Sequence, residues 1–171
     1  MARMSVFRFS AVALLLLAAC CWADDEEREG RTGANGTERR DRDCWSYVGR
    51  RGGKQVVSLA RSGCLYHGTV QHELLHALGF NHELTRSDRD NHIRVMLQNV
   101  ISGMEHNFNK IATLNQGTPY DYGSVMQYHK YAFSKNNQPT MVPIPNANVS
   151  LGNAKEMSRN DIARLNTLYS C

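Results

Sequence analysis

The stretch HELLHALGFNHE, residues His72 to Glu83, places three histidines and two glutamates within twelve residues. Residues four apart lie on the same face of an α-helix, so His72 and His76 can bind one metal ion together. Gly79 can adopt the left-handed conformation that ends a helix, and the turn lets His82 approach the same ion. Three imidazoles suit zinc and leave one coordination position open, as in catalytic sites. The stretch therefore predicts one Zn²⁺ per chain.

The glutamate between the first two histidines completes the predicted chemistry. Zinc lowers the pKa of a bound water toward about 7, which brings hydroxide within reach at neutral pH. Glu73, next to His72, is the candidate general base that takes the proton of that water. A structural zinc is the alternative use of the same histidines, but such a site normally includes cysteine and fills all four positions. We therefore expect a hydrolytic zinc site.

Several stretches of the sequence resemble one known family. HELLHALGFNHE has the metzincin pattern HExxHxxGxxH, and Glu83 after the third histidine resembles the astacin family of zinc metalloendopeptidases. Ser124–Tyr128 (SVMQY) is similar to the astacin Met-turn, and CWSYVGR from Cys44 and LNTLYSC up to Cys171 also resemble that family. The similarity runs almost continuously between these two cysteines. Within the family the chain is most like the fish hatching-enzyme (choriolysin-like) members.

The resemblance implies roles for two residues of the Met-turn. Tyr128 matches the family tyrosine that acts as a labile zinc ligand and then stabilises the oxyanion. A phenol suits that role because it can release a metal and donate a hydrogen bond to developing charge. Met126 matches the methionine that packs beneath the metal. The resemblance thus adds Tyr128 to Glu73 as a second catalytic residue.

The resemblance also implies how the first folded residues are used. Cys44 and Cys64 match an internal disulfide pair of the family. Trp45, Ser46 and Tyr47 match its edge strand, which lines the cleft and binds an extended substrate by strand addition. A protein or peptide is therefore the implied partner, with egg-envelope proteins suggested by the hatching-enzyme likeness.

The start of the chain predicts export. A basic start, the apolar run Ala11 to Ala19 and a small-residue cleavage site ending at Ala23 are typical of a secretory signal peptide over residues 1–23. The apolar run is shorter than the roughly 18 to 20 residues of a membrane-spanning helix, which is the alternative interpretation. We therefore expect an extracellular protein.

Composition separates a leader from a folded domain. The 171-residue chain is 42% hydrophobic with a formal charge of +4, which indicates neither a nucleic-acid nor a membrane partner. Residues 24–43 are mostly charged and contain no aromatic, Val, Ile, Leu or Met residue, which predicts a disordered leader or propeptide remnant. The peptidase domain is predicted over residues 44–171.

The family resemblance implies an α+β fold of metzincin or zincin-like type: a partial N-terminal sheet with the zinc helix, then a loop-rich C-terminal subdomain that ends in a helix. CWSYVGR (44–50) and QVVSLA (55–60) predict a hairpin. Thr69 is the predicted N-cap of a helix that runs to about Leu78, and Ser158 and Asp161 predict a capping box for the last helix. The expected apolar sides of the two helices are Val70, Leu74, Ala77 and Leu78, and Ile162, Leu165, Leu168 and Tyr169.

The chain departs from the family pattern before Cys44, and two later residues thereby lack their family partners. A family domain starts well before the Cys44 strand, so we expect the N-terminal sheet to be incomplete. The family cysteine that pairs with the C-terminal one would lie in that stretch, which leaves Cys171 unpaired. Glu83 normally pairs with the mature amino terminus and has no recognisable partner in this sequence. We therefore expect its carboxyl to be exposed or protonated, because an unpaired buried carboxylate is costly.

Two functions from different classes follow. The first is a secreted zinc endopeptidase in which His72, His76 and His82 hold zinc, Glu73 is the base and Tyr128 stabilises the transition state. The second is a shortened, non-catalytic secreted form, or an incomplete gene model, that binds zinc or peptide without turnover.

Overall fold

The computed structural model describes residues 44–171 of the chain. They form an α+β fold with two antiparallel two-stranded sheets and two α-helices, joined by long loops and short 3₁₀ turns. The α+β class is as predicted, whereas the second sheet lies in the region that was expected to be loop-rich. Neither helix in residues 44–171 is long and apolar enough to cross a membrane. The elements in chain order are β1 Trp45–Ser46, β2 Val57–Ser58, α1 His67–Ala77, β3 Ile93–Val95, β4 Met141–Pro143 and α2 Arg159–Tyr169.

The first sheet is the predicted hairpin, with strands shorter than expected. Trp45 pairs with Ser58, and Ser46 pairs with Val57. A disulfide joins Cys44 to Cys64, so the start of β1 is tied to the loop that leads into α1. The backbone N–H of Gly49 donates to the carbonyl of His76 at 2.8 Å. The hairpin is therefore fixed directly to the last turn of α1.

Helix α1 differs from the prediction at its start and in its buried side. Its N-cap is Tyr66 and not Thr69, so the helix begins one turn earlier than the sequence suggested. It ends as predicted near Gly79, whose φ of +99° a residue with a Cβ rarely adopts. The expected apolar residues are only half-buried, because the interior side belongs to the metal site; the buried residues are Gly68, Glu73, Leu75 and His76.

The C-terminal part contains the larger core. Strands β3 and β4 pair antiparallel, with Arg94 opposite Val142. The surrounding loops are closed by 3₁₀ turns, and their apolar side chains pack around this sheet. The buried cluster consists of Leu84, Ile93, Val100, Phe108, Tyr120, Met141 and Leu151.

Helix α2 has the predicted capping box but buries a different side. The Ser158 hydroxyl accepts from the Asp161 N–H, and the Asp161 carboxylate accepts from the Ser158 N–H. The buried residues of the helix are Asp161 and Arg164, whereas three of the four predicted apolar residues are exposed; those three are Ile162, Leu168 and Tyr169. The prediction of an apolar interior side was wrong, because Asp161 accepts hydrogen bonds from the Ser124 hydroxyl and from backbone N–H groups inside the fold, and Arg164 pairs there with Glu83.

A second, smaller cluster connects the helices to the metal site. Leu75 of α1 packs with Val125 and Met126 of the Met-turn, and Leu165 of α2 packs against the same group. This cluster places the Met-turn between α1 and α2.

Candidate metal centre

The three histidines of the opening stretch converge on one point. The Nε2 atom of His82 lies 3.1 Å from that of His76 and 3.3 Å from that of His72. In a tetrahedral site with Zn–N bonds of about 2.0–2.1 Å, two ligand nitrogens are separated by about 3.3 Å. The observed spacing is therefore that of zinc ligands. Among the described residues these three histidines are the sole group that could hold a metal ion.

Backbone carbonyls fix the tautomers of two ligands. His72 Nδ1 lies 2.8 Å from the carbonyl oxygen of Val125, and His76 Nδ1 lies 2.8 Å from that of Phe80. A carbonyl only accepts, so each Nδ1 carries the proton and donates. The lone pairs then reside on the Nε2 atoms, which point at the shared centre.

Burial keeps the ligands neutral. Burial lowers the pKa of His76 to about 4 and that of His82 to about 3, and the charge of neighbouring histidines acts in the same direction. Burial also lowers the pKa of His72, against opposing effects of the Val125 hydrogen bond and the Asp161 charge. A metal must compete with protons for imidazole, so low pKa values favour metal binding at neutral pH.

Glu73 lies beside the ligands with an uncommitted oxygen. The residue is buried, and its Oε2 is the one buried side-chain polar atom in residues 44–171 without a hydrogen-bond partner. Burial raises the pKa of its carboxyl to about 7. Buried polar atoms are almost always paired, and exceptions mark functional groups. A carboxyl that titrates near neutrality suits exchange of protons with a reacting water.

Tyr128 packs against the third ligand. Its ring centroid lies 4.2 Å from that of His82, with the planes tilted by 50°. Burial raises the pKa of the phenol to about 12, and the charge of Glu73 adds to this shift. The hydroxyl therefore keeps its proton at neutral pH and can donate a hydrogen bond.

The Met-turn contacts the turn that carries His82. Met126 is 2% exposed, and its carbonyl accepts a 3.0 Å hydrogen bond from the backbone N–H of Glu83. The turn that carries His82 is thereby held to the Met-turn.

Glu83 contradicts the expectation that it lacks a partner. The residue is 2% exposed, and its carboxylate accepts two hydrogen bonds from Arg164, at 2.6 and 3.0 Å. Arg86 adds a third at 3.4 Å, and the backbone N–H of Asp121 adds a fourth at 2.7 Å. Burial raises the pKa of this carboxyl, and the two arginines oppose that shift. The carboxylate is thus buried and paired, neither exposed nor orphaned.

The predicted substrate strand lies next to the site. Trp45 and Ser46 form β1, while Tyr47 follows the strand and stacks edge-to-face on Trp45 with centroids 5.3 Å apart. The hydrogen bond from Gly49 to His76 brings this segment alongside the ligand helix. The four remaining histidines of the described chain, for which no metal role is expected, stay outside the ligand group: His67, His92, His106 and His129.

A comparison with protein families decides the assignment. The sequence profile of Astacin, a peptidase family, matches residues 18–170. The chain belongs to the astacin family. This confirms the predicted family, and together with the three-histidine group it confirms zinc as the cofactor.

Relatives within the astacin family include choriolytic enzymes. The chain is 53% identical over 128 residues to the Low choriolytic enzyme of Oryzias latipes, covering 75% of this chain and 47% of that protein. It is 54% identical over 129 residues to the High choriolytic enzyme 2 of the same fish, covering 75% and 46%. It is 48% identical over 134 residues to the Zinc metalloproteinase nas-15 of Caenorhabditis elegans, covering 77% and 23%. The chain spans about half the length of the choriolytic relatives it matches.

A solved structure confirms the astacin-type fold. The High choriolytic enzyme 1 of Oryzias latipes, a hatching enzyme zinc-protease, superimposes with a TM-score of 0.73 at 52% identity. The match covers 75% of this chain and 65% of that one. The predicted α+β metzincin-like fold is therefore correct.

Arg86 and Arg164 were not predicted as partners of Glu83. A signal for Arg164 was present in α2, where Asp161, Arg164 and Leu165 share one side at i, i+3 and i+4. Leu165 packs in the smaller cluster, so its neighbours on that side also face inward.

Proposed function

We propose that this astacin-family chain is a secreted zinc endopeptidase. One observation carries the proposal: three Nε2 atoms converge at zinc-ligand spacing beside a buried glutamate that has an unpaired oxygen. Three protein ligands are typical of catalytic zinc sites, which keep one position for the reacting molecules.

Each residue of the site has a distinct task in this proposal. His72, His76 and His82 hold the metal through Nε2. Zinc supplies Lewis acidity when bound, which acidifies water and polarises a peptide carbonyl. Glu73 takes the proton of the attacking water through its free Oε2, and its pKa near 7 lets it pass that proton to the leaving amine.

Tyr128 stabilises the transition state in the same proposal. Its hydroxyl stays protonated at neutral pH because burial raises its pKa, so it can donate to the negative oxygen that develops on the peptide. The contact of its ring with the His82 ring supports this role. Met126 supports the ligands from below by packing.

The proposed substrate is an extended protein segment. Trp45, Ser46 and Tyr47 would pair with it by strand addition, along the hairpin that is fixed to the ligand helix. The similarity to choriolytic enzymes supports egg-envelope proteins as the natural substrate class.

Secretion and the domain boundaries belong to the same proposal. The signal peptide over residues 1–23 and the leader over residues 24–43 lie outside the described residues. The Cys44–Cys64 disulfide supports an extracellular location, because disulfides persist mainly in oxidising compartments. The peptidase domain then spans residues 44–171.

The test compares the secreted full chain with a Glu73→Gln variant. Zinc content and cleavage of a generic unfolded protein are measured on both. We expect one zinc per chain in both proteins and a loss of cleavage in the variant of at least about 100-fold. One zinc per chain with equal cleavage in both would overturn the role of Glu73. Bound zinc without cleavage by either protein would favour the non-catalytic function.

A further inference from the structure

A continuous chain of hydrogen bonds runs from a zinc ligand to helix α2. His72 Nδ1 donates to the Val125 carbonyl at 2.8 Å. The N–H of the same peptide group, on Met126, donates to the Ser124 hydroxyl oxygen at 3.0 Å. That hydroxyl donates to Asp161 Oδ1 at 2.7 Å. We call His72, the 125–126 peptide, Ser124 and Asp161 the relay.

The chemistry of the groups gives the relay one direction. Val125 offers a carbonyl that only accepts, and Asp161 ends the relay as a carboxylate that only accepts. Every donor between them therefore points toward Asp161. Hydrogen bonds aligned in this way polarise one another, so a charge at one end is felt at the other.

Asp161 is held firmly at the end of the relay. It is 2% exposed, and its second oxygen accepts from the backbone N–H groups of Val125 at 3.0 Å and Ser158 at 2.9 Å. Its nearest counter-ion contact, Arg164, is 3.8 Å away. Arg164 is itself engaged at 2.6 Å by Glu83, so the Asp161 charge is weakly neutralised by side chains.

We propose that Asp161 is a positioning residue for the zinc ligand His72, acting through Ser124 and the 125–126 peptide. The relay fixes the tautomer and the ring orientation of His72 and increases the electron density at its Nε2. Groups that orient metal ligands in this way typically change metal affinity by about 10–100-fold when they are removed. This inference rests on the proposed function, because it needs a bound metal.

The competing role of Asp161 is local. Its carboxylate also belongs to the capping box of α2, so removal of the charge will destabilise the helix start whether or not the relay matters. Ser124 and Ser158 separate the two roles. Ser124→Ala breaks the relay and leaves the cap, whereas Ser158→Ala removes the cap hydroxyl and leaves the relay.

The experiment measures the zinc dissociation constant of the folded full chain by competition with a chromogenic chelator, together with the absorption spectrum of the Co²⁺-substituted protein. We expect Ser124→Ala and Asp161→Asn to weaken zinc binding by about 10–100-fold and to shift the Co²⁺ bands. Ser158→Ala should do neither. The double variant of Ser124 and Asp161 should be no weaker than the worse single variant, because both interrupt one relay.

The proposal would be overturned if Ser124→Ala and folded Asp161→Asn both bind zinc with a dissociation constant within twofold of that of the parent chain. Asp161 would then be a helix cap only. If Asp161→Asn does not fold, the Ser124→Ala result decides alone. A parent chain that binds no zinc would instead refute the proposed function, so the two failures are distinguishable.

Discussion

Removal of Arg164 should strongly destabilise the fold through Glu83. Arg164→Ala deletes both hydrogen bonds at 2.6 and 3.0 Å and leaves a carboxylate that is 2% exposed. Breaking a buried ion pair from one side costs about 3–5 kcal/mol. Arg86 at 3.4 Å and the Asp121 N–H at 2.7 Å remain, so we expect the lower end, about 3 kcal/mol.

The assay is urea unfolding followed by circular dichroism, with thermal unfolding as a second measure. For a domain of this size, 3 kcal/mol corresponds to a fall in Tm of roughly 9–15 °C. The stability of Arg164→Lys should lie between that of Arg164→Ala and that of the parent chain, because an ammonium group cannot form the bidentate contact with the carboxylate. The double variant Glu83→Gln with Arg164→Met should recover most of the loss, because no charge is left unpaired. A loss below about 0.5 kcal/mol for Arg164→Ala would show that the buried Glu83 carboxylate does not depend on Arg164.

Three further predictions concern stability. Asp88→Asn should lose about 0.5–1 kcal/mol at pH 7, since the Arg86 hydrogen bond lowers the pKa of the partly exposed Asp88 carboxyl. That stabilisation exists only while Asp88 is charged. In urea unfolding measured at decreasing pH, the difference in free energy of unfolding between the parent chain and Asp88→Asn should therefore narrow below the ordinary aspartate pKa of about 3.9. Gly152→Ala should lower the free energy of unfolding by more than about 2 kcal/mol, measured by urea unfolding. The φ of Gly152 is +71°, and a Cβ at this position would lie 2.2 Å from the backbone nitrogen of His129. Gly53→Ala, with φ +66° and open space, is its control and should cost about 1 kcal/mol. Free zinc at 100 times its dissociation constant should stabilise the chain by about 2.7 kcal/mol over a chelated sample in the same unfolding assay.

The metal ligands could be predicted because their geometry is local. His72 and His76 share a helix face, and Gly79 turns the chain toward His82 within ten residues of the first ligand. No distant residue is needed to bring them together. The fold class could be predicted because the motifs that resemble the astacin family lie on both sides of this stretch.

The pairing of Glu83 with Arg164 could not be predicted because the two residues lie 81 positions apart in the sequence. Hydrophobic periodicity assumes that polar residues face water, and α2 inverts that rule by burying Asp161 and Arg164. Helix α1 does the same with Glu73 and His76. The buried side of each helix was predicted wrongly because polar and charged residues of that helix face the interior. Such departures from ordinary packing are expected near a functional site.

The most direct test of the central claim is a zinc titration of the metal-free full chain, with the rate of peptide-bond cleavage as the readout. We expect the cleavage rate to rise in proportion to added zinc and to level off at one equivalent per chain. Glu73→Gln should bind the same amount of zinc with no rise in cleavage. Stoichiometric binding of zinc with no rise in cleavage by the parent chain would contradict the central claim.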